Sequence, residues 1–98
     1  MTEIVEFSTH YRLASGVAIR PERFGGLIYR YDNRRLYFLR SHQAVDLINH
    51  LDGQHSLQEV LNQFMAARNL PDTARASLVA AVAQLAKLGV LTGPNSLS

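Results

Sequence analysis

Cysteine is absent from this chain of 98 residues. A protein without thiols forms no disulfide and no thiolate metal site, and this composition fits a reducing compartment such as the cytoplasm. No segment approaches the roughly 20 consecutive apolar residues that a membrane-spanning helix requires. The opening residues, MTEIVEFSTHYRL, are acidic early and lack the apolar run of a signal peptide. We therefore expect one cytoplasmic domain without a membrane partner.

Residue sets that could perform catalysis are also scarce. Four histidines could act as soft metal ligands, namely His10, His42, His50 and His55. They form neither an i,i+4 pair nor an HExxH pattern, which argues against a metal site. Asp52, Glu59 and Asp72 fall near predicted helix ends, where carboxylates usually have structural roles, and Gly25-Gly26 lacks the remaining glycines of a phosphate loop. We expect no enzymatic activity, no metal and no cofactor.

Positive charge is concentrated in one short segment. Six of the ten basic residues are arginines between positions 20 and 40, namely Arg20, Arg23, Arg30, Arg34, Arg35 and Arg40. The same segment contains only Glu22 and Asp32 as acidic residues. Such a field would speed encounters with an acidic partner, and guanidinium groups suit carboxylates or phosphates. The alternative is a solvated strand face without a partner.

Alternation of apolar and polar residues predicts three strands, at 17–20, 27–31 and 35–40. Pro21 is expected to close the first strand because proline donates no ladder hydrogen bond. Asp32-Asn33 supplies the turn between the second and third strands. One sheet face would carry Leu27, Tyr29, Tyr31, Leu36 and Phe38. The other would carry Ile28, Arg30, Arg35, Tyr37 and Leu39. The first face is the better core candidate.

Three helices follow the strands. Ser41 is the expected N-cap of the first helix, and Gly53 is its expected stop. A capping box at Ser56 to Glu59 begins the second helix, which ends before Pro71, and the third runs from about residue 72 to 88. Strands followed by helices predict an α+β fold with an antiparallel sheet. Residues 1–15 would form an extended arm, 16–92 the domain and 93–98 a flexible tail.

Strand order decides what the third strand can do. If neighbouring strands in sequence pair, this strand lies at an edge and could receive a guest strand. Charged side chains could instead simply protect this edge from pairing with other strands. The edge could also pair with a second copy of the chain to give a homodimer. The remaining alternative is a winged-helix nucleic-acid binder. Its reading helix would carry only Arg75 and Lys87, too few cations for that task, so we expect no nucleic acid.

A further set of residues carries a resemblance to a known protein family. They are Arg20-Pro21-Glu22, Phe24-Gly25, Leu27, Tyr29, Arg34-Arg35-Leu36, Phe38-Leu39 and Ser41. This run resembles the mycofactocin biosynthesis chaperone family, a group of peptide-recognition elements related to the PqqD-like chaperone of the pyrroloquinoline quinone pathway. The resemblance extends from about residue 11 to 91, and its Arg-Pro-Glu-x-Phe-Gly core is the most specific part.

The resemblance implies a winged-helix-like domain with a three-stranded antiparallel sheet and three helices. Family members bind the leader of a precursor peptide along the third strand and present it to a radical S-adenosylmethionine maturase. On this chain, the strand side of the peptide site would be Arg35, Leu36, Tyr37, Phe38, Leu39 and Arg40. The groove wall on the third helix would be Arg75, Leu78, Val79 and Val82. Which strand face meets the guest is left open, and Leu39→Pro is expected to remove a backbone donor from the free edge.

Overall fold

A computed structural model describes residues 7–93, and both the first six residues of the expected arm and residues 94–98 of the expected tail lie outside this range. Its elements are β1 (Arg12–Leu13), β2 (Val17–Glu22), β3 (Gly25–Arg30), β4 (Leu36–Leu39), α1 (His42–Asn49), α2 (Leu57–Arg68), α3 (Asp72–Lys87) and β5 (Leu91–Thr92). Strands β2, β3 and β4 form an antiparallel sheet in that order, and the three helices follow. The predicted α+β architecture is confirmed.

Polar capping side chains mark the start of the first two helices. The Ser41 hydroxyl accepts a hydrogen bond from the Ala44 amide at 3.1 Å, and Ser56 and Glu59 form the reciprocal capping box. Helix α1 is shorter than expected: it ends at Asn49, and Gly53 lies in the following turn with φ +77°. The stop signal of α1 was therefore placed too late.

Pro21 lies inside β2, opposite Gly26, so the prediction that it closes the strand was wrong. The Tyr31 amide donates to the Gly16 carbonyl at 2.8 Å. Because bonded and non-bonded pairs alternate along an antiparallel ladder, Pro21 falls at a non-bonded position. Its nitrogen faces away from β3, where no ladder donor is required.

The sheet packs on the helices through the face opposite to the predicted one. Ile28 is fully buried, and Tyr37 and Leu39 pack against the core. Leu36 is 51% exposed and Phe38 64% exposed, on the side of the sheet away from the helices. The assignment of Leu36 and Phe38 to the core face was therefore wrong.

Gly26 explains which face is covered. A Cβ atom at this position would lie 2.6 Å from Cγ2 of Val45 in α1, so only glycine allows that helix to lie so close. Gly26 and Ile28 share a face because side chains alternate along a strand. Both faces of the hairpin are apolar, and alternation alone therefore could not identify the buried one.

The chain ends of the described region pair with each other. Strands β1 and β5 are antiparallel, with Leu13 opposite Leu91, and the Ala14 amide donates to the Val90 carbonyl at 2.8 Å. Tyr11 is buried in the same core as the helices. Residues 11–13 of the expected arm are thus packed into the domain. No helix among residues 7–93 is long and apolar enough to cross a membrane.

The reversed facing of the sheet can be tested with two truncations on opposite faces. Ile28→Ala should lower the free energy of unfolding by about 2–5 kcal/mol, because it leaves a cavity in a closed core. Phe38→Ala should lower it by less than about 1 kcal/mol, because the ring is mostly in water. Urea unfolding followed by circular dichroism measures both, and a larger loss in Phe38→Ala would contradict the observed facing.

Candidate functional site

A groove runs between the edge strand β4 and the C-terminal half of α3, with a volume of about 510 Å³. It is lined from the sheet by Ile28, Leu36, Tyr37, Phe38, Leu39 and Arg40. It is lined from α3 by Ala81, Gln84, Leu85 and Leu88. The groove is therefore mainly apolar, with the main chain of β4 along one side.

The register of β4 determines which backbone groups face the groove. The Arg30 amide donates to the Arg35 carbonyl at 3.0 Å, so positions 35, 37 and 39 bond β3 in the antiparallel ladder. Leu36 and Phe38 consequently direct their N–H and C=O groups away from β3. Within residues 7–93 no strand pairs with that side of β4. The edge can therefore accept backbone hydrogen bonds from another chain.

The same register corrects one expectation. Leu39 pairs with Gly26, and its N–H faces β3 and not the groove. Leu39→Pro would remove a hydrogen bond from inside the sheet, so the expectation that it removes a donor from the free edge was wrong. Phe38 provides the donor on the open side.

The predicted site residues divide into two groups. Those from Leu36 to Arg40 line the groove, and Arg35 directly precedes β4. The four residues predicted from α3 do not line it. Leu78 and Val82 are buried in the core, Val79 packs against it, and Arg75 donates to the Asn62 side-chain oxygen at 3.1 Å.

The groove wall of α3 lies about one to two turns closer to the C-terminus than predicted. Ala81, Leu85 and Leu88 continue, at helical spacing, the apolar stripe that begins at Leu78. That continuation is the signal in the sequence that could have identified them. The tilt of α3 against the sheet, which decides which turns meet β4, follows from tertiary packing.

Arg30 connects the sheet to the end of α3. One guanidinium nitrogen donates to the Leu88 carbonyl at 2.8 Å, and the others bind both carboxylate oxygens of Asp32 at 2.8 and 3.2 Å. The hydrogen bond with Asp32 raises the pKa of Arg30 and, reciprocally, lowers the pKa of Asp32. A Cβ at residue 89 would lie 2.8 Å from the guanidinium, so Gly89 leaves room for this contact.

The other end of β4 is held by a close approach of main chains. Gly25 has φ +142°, and a Cβ there would lie 2.1 Å from the Leu39 carbonyl oxygen. The His42 ring hydrogen-bonds the Arg23 carbonyl, which joins the start of α1 to the turn between β2 and β3. Both ends of the edge strand are thus held by the rest of the fold.

Several arginines of the basic segment 20–40 carry no ion pair within the described region. Arg20 pairs with Glu22 at 2.6 Å and Arg30 pairs with Asp32. No ion pair within the described region involves the side chains of the remaining four, namely Arg23, Arg34, Arg35 and Arg40. Of these, Arg40 lies in the groove wall. The free cations favour an acidic ligand.

A second cavity of about 350 Å³ lies beside α2 and is lined in part by His50, Asp52, His55 and Phe64. Its polar groups already bind within the protein. The Gln54 amide donates to Asp52 and lowers the pKa of that carboxyl, and His55 lies 3.4 Å from it. No cluster of three metal-ligating side chains occurs among residues 7–93. This cavity also lacks a free strand edge.

No solved structure matches this chain. The peptide chaperone MftB of Mycolicibacterium smegmatis is 33% identical over 87 residues, which cover 89% of this chain and 76% of that protein. The peptide chaperone MftB family matches residues 10–92, and the chain belongs to that family.

Proposed function

We propose that this chain is a non-enzymatic peptide chaperone of mycofactocin biosynthesis. It binds the leader region of a ribosomally made precursor by strand addition to β4 and presents the precursor to a radical S-adenosylmethionine maturase in the cytoplasm. The observation that carries the proposal is the unpaired backbone of Leu36 and Phe38 beside an apolar groove. Membership of a peptide chaperone family supports it independently.

The register specifies how a guest strand would lie. An antiparallel guest would exchange backbone hydrogen bonds with Leu36 and Phe38, and strand addition draws its affinity from such bonds. Guest residues opposite Tyr37 and Leu39 would point to the helix side, toward Leu85. At about 3.3 Å per residue, the four residues of β4 would pair with about four residues of the leader. Alternate guest side chains therefore meet Tyr37 and Leu39 on the helix side, and the intervening ones lie beside Leu36 and Phe38 on the opposite face.

The groove has side chains for recognition and none for chemistry. Its polar side chains belong to Tyr37, Arg40 and Gln84. A tyrosine can act as a nucleophile, but neither a guanidinium nor a carboxamide is the adjacent base that covalent catalysis requires. Chemical modification of the precursor is therefore assigned to the maturase. The free cations at Arg35 and Arg40 favour a leader that carries acidic residues.

The strand-addition mechanism can be tested at Phe38. Phe38→Pro removes the outward N–H and restricts φ, so its affinity for a leader peptide should fall at least about tenfold, equivalent to about 1.4 kcal/mol. Phe38→Ala retains the backbone donor and should change the affinity less than about threefold. Fluorescence anisotropy with the labelled leader of the precursor encoded beside this gene measures both variants.

Circular dichroism must show the wild-type spectrum for both Phe38 variants before their affinities are compared. A folded Phe38→Pro protein that binds as tightly as wild type would rule out strand addition at β4. Equal losses in the proline and alanine variants would assign the effect to the ring and not to the main chain.

Electrostatic steering provides a separate test. Association with an acidic leader should slow as salt rises, because added ions screen charges beyond about 10 Å at 0.1 M. Arg40→Gln should slow association at low salt by at least about threefold and flatten the salt dependence. Stopped-flow fluorescence between low and high salt measures the rate constants.

Arg68→Gln is the matched control, because it removes one cation that already pairs with Asp46 at 3.4 Å on another part of the surface. It should leave the association rate near that of wild type. Rates independent of salt, or equal effects of the two substitutions, would show that charge beside the groove does not steer the leader.

A further inference from the structure

The face of the sheet opposite the helices contains a shallow depression of about 340 Å³, which we name the tyrosine trough. It is lined by Ala18, Arg20, Leu27, Tyr29, Tyr31 and Leu36. We propose that the tyrosine trough docks the maturase, whose surface inserts a protruding apolar side chain surrounded by carboxylates. The inference rests on the proposed function and adds to it the surface that meets the enzyme.

Exposed apolar side chains are gathered on this face. Tyr31 is 61% exposed, and its ring meets that of Tyr29 edge to face at 4.7 Å between centroids. Beside the trough, the exposed rings of Phe24 and Phe38 meet in the same way at 5.7 Å. Contiguous exposed apolar surface marks interaction sites in soluble proteins, and aromatic side chains are enriched where binding energy is concentrated.

Charge around the trough selects the partner. Arg20 lines it but already pairs with Glu22 at 2.6 Å, so the cations that remain to attract a partner are Arg23 and Arg34, in the two turns at opposite ends of the sheet. A second copy of this chain would bring the same arginines face to face in a two-fold interface, which like charges oppose. An acidic protein surface instead satisfies the guanidinium groups. The chemistry therefore favours an acidic partner over self-association.

The shape of the trough also narrows the choice of partner. A depression receives a side chain that protrudes from a folded surface, and a lipid surface offers no such fixed side chain. A short peptide gains its affinity at the open strand edge, and the trough is a depression in the face of the sheet that is lined by side chains. A folded acidic protein fits the trough better than either.

Strand β4 places the two proposed sites back to back. Tyr37 and Leu39 face the groove, while Leu36 contributes to the lining of both the groove and the trough. A leader paired with the edge would place alternate side chains beside Leu36 on the trough face, and it leaves open the part of the trough lined by Ala18, Leu27 and Tyr29 on β2 and β3. The maturase could therefore bind while the chaperone holds the precursor, as presentation requires.

The test separates the two sites with one double variant. Tyr29→Ser with Tyr31→Ser should keep leader affinity within about threefold of wild type, because neither residue lines the groove. Its affinity for the radical S-adenosylmethionine enzyme encoded beside this gene should fall at least about tenfold. Biolayer interferometry on the full chain measures the enzyme, and fluorescence anisotropy measures the leader. Retained leader binding also shows that the double variant is folded.

Two further substitutions complete the design. Phe7→Ser removes an exposed ring beside Arg75, away from the sheet, and should leave enzyme affinity unchanged. Arg23→Glu reverses a charge in an exposed turn with little risk to folding, and should weaken enzyme binding at low salt at least about threefold. If the double variant loses its fold, the Arg23→Glu result decides whether the enzyme docks at the tyrosine trough.

The outcomes distinguish the inference from the proposed function. A wild-type chain that binds the leader and the enzyme, with enzyme affinity unchanged in the double and Arg23→Glu variants, overturns the trough and leaves the chaperone function standing. A wild-type chain that binds neither overturns the proposed function itself. Wild-type binding to the leader alone also overturns the trough as the enzyme's docking site.

Other occupants of the trough give different results. Sedimentation velocity at high protein concentration should show a monomer; a dimer that the two serine substitutions dissociate would assign the trough to a second copy. Co-sedimentation with phosphatidylglycerol vesicles should leave the protein in solution. Binding to vesicles that the double variant loses would assign the trough to a lipid surface. Either result would overturn the proposal.

Discussion

Arg30 leaves β3 on the side that faces the helices and reaches the Leu88 carbonyl at the end of α3. The last carbonyls of a helix have no partner within it, so a cation that donates there stabilises both the helix end and its position against the sheet. Asp32 orients the guanidinium from the other side. Leu88 also lines the groove, so this contact ties one groove residue of α3 to the sheet.

The parts of the fold that sequence could predict are those whose cause is local. Ser41 and the Ser56 capping box act within one turn, and they begin helices where expected. The buried sheet face depended instead on a distant contact, that of Val45 over Gly26. The groove wall depended on the tilt of α3, so the predicted residues fell too early in that helix. Strand β4 itself was identified correctly because alternation and strand order both reside in the hairpin.

The four residues of β4 contribute to the ladder with β3, to the helix side of the sheet and to the opposite face. Its main chain bonds β3 at alternate positions and leaves the intervening positions open. Tyr37 and Leu39 pack toward the helices, and Leu36 and Phe38 project to the opposite face. Strand geometry provides this separation without additional elements, because side chains alternate every residue and hydrogen bonds alternate in the perpendicular direction. The groove and the tyrosine trough thereby share only one lining residue, Leu36.

Pro21 makes the two open edges of the sheet unequal, which the strand order alone does not do. An antiparallel sheet with two open edges can stack edge to edge and polymerise. On the outward side of β2, proline leaves a gap in the row of donors, so a strand approaching there meets an interrupted ladder. Growth is hindered at that edge and open at β4. An interrupted edge at β2 opposes end-to-end growth of the sheet while leaving β4 open to the proposed guest strand.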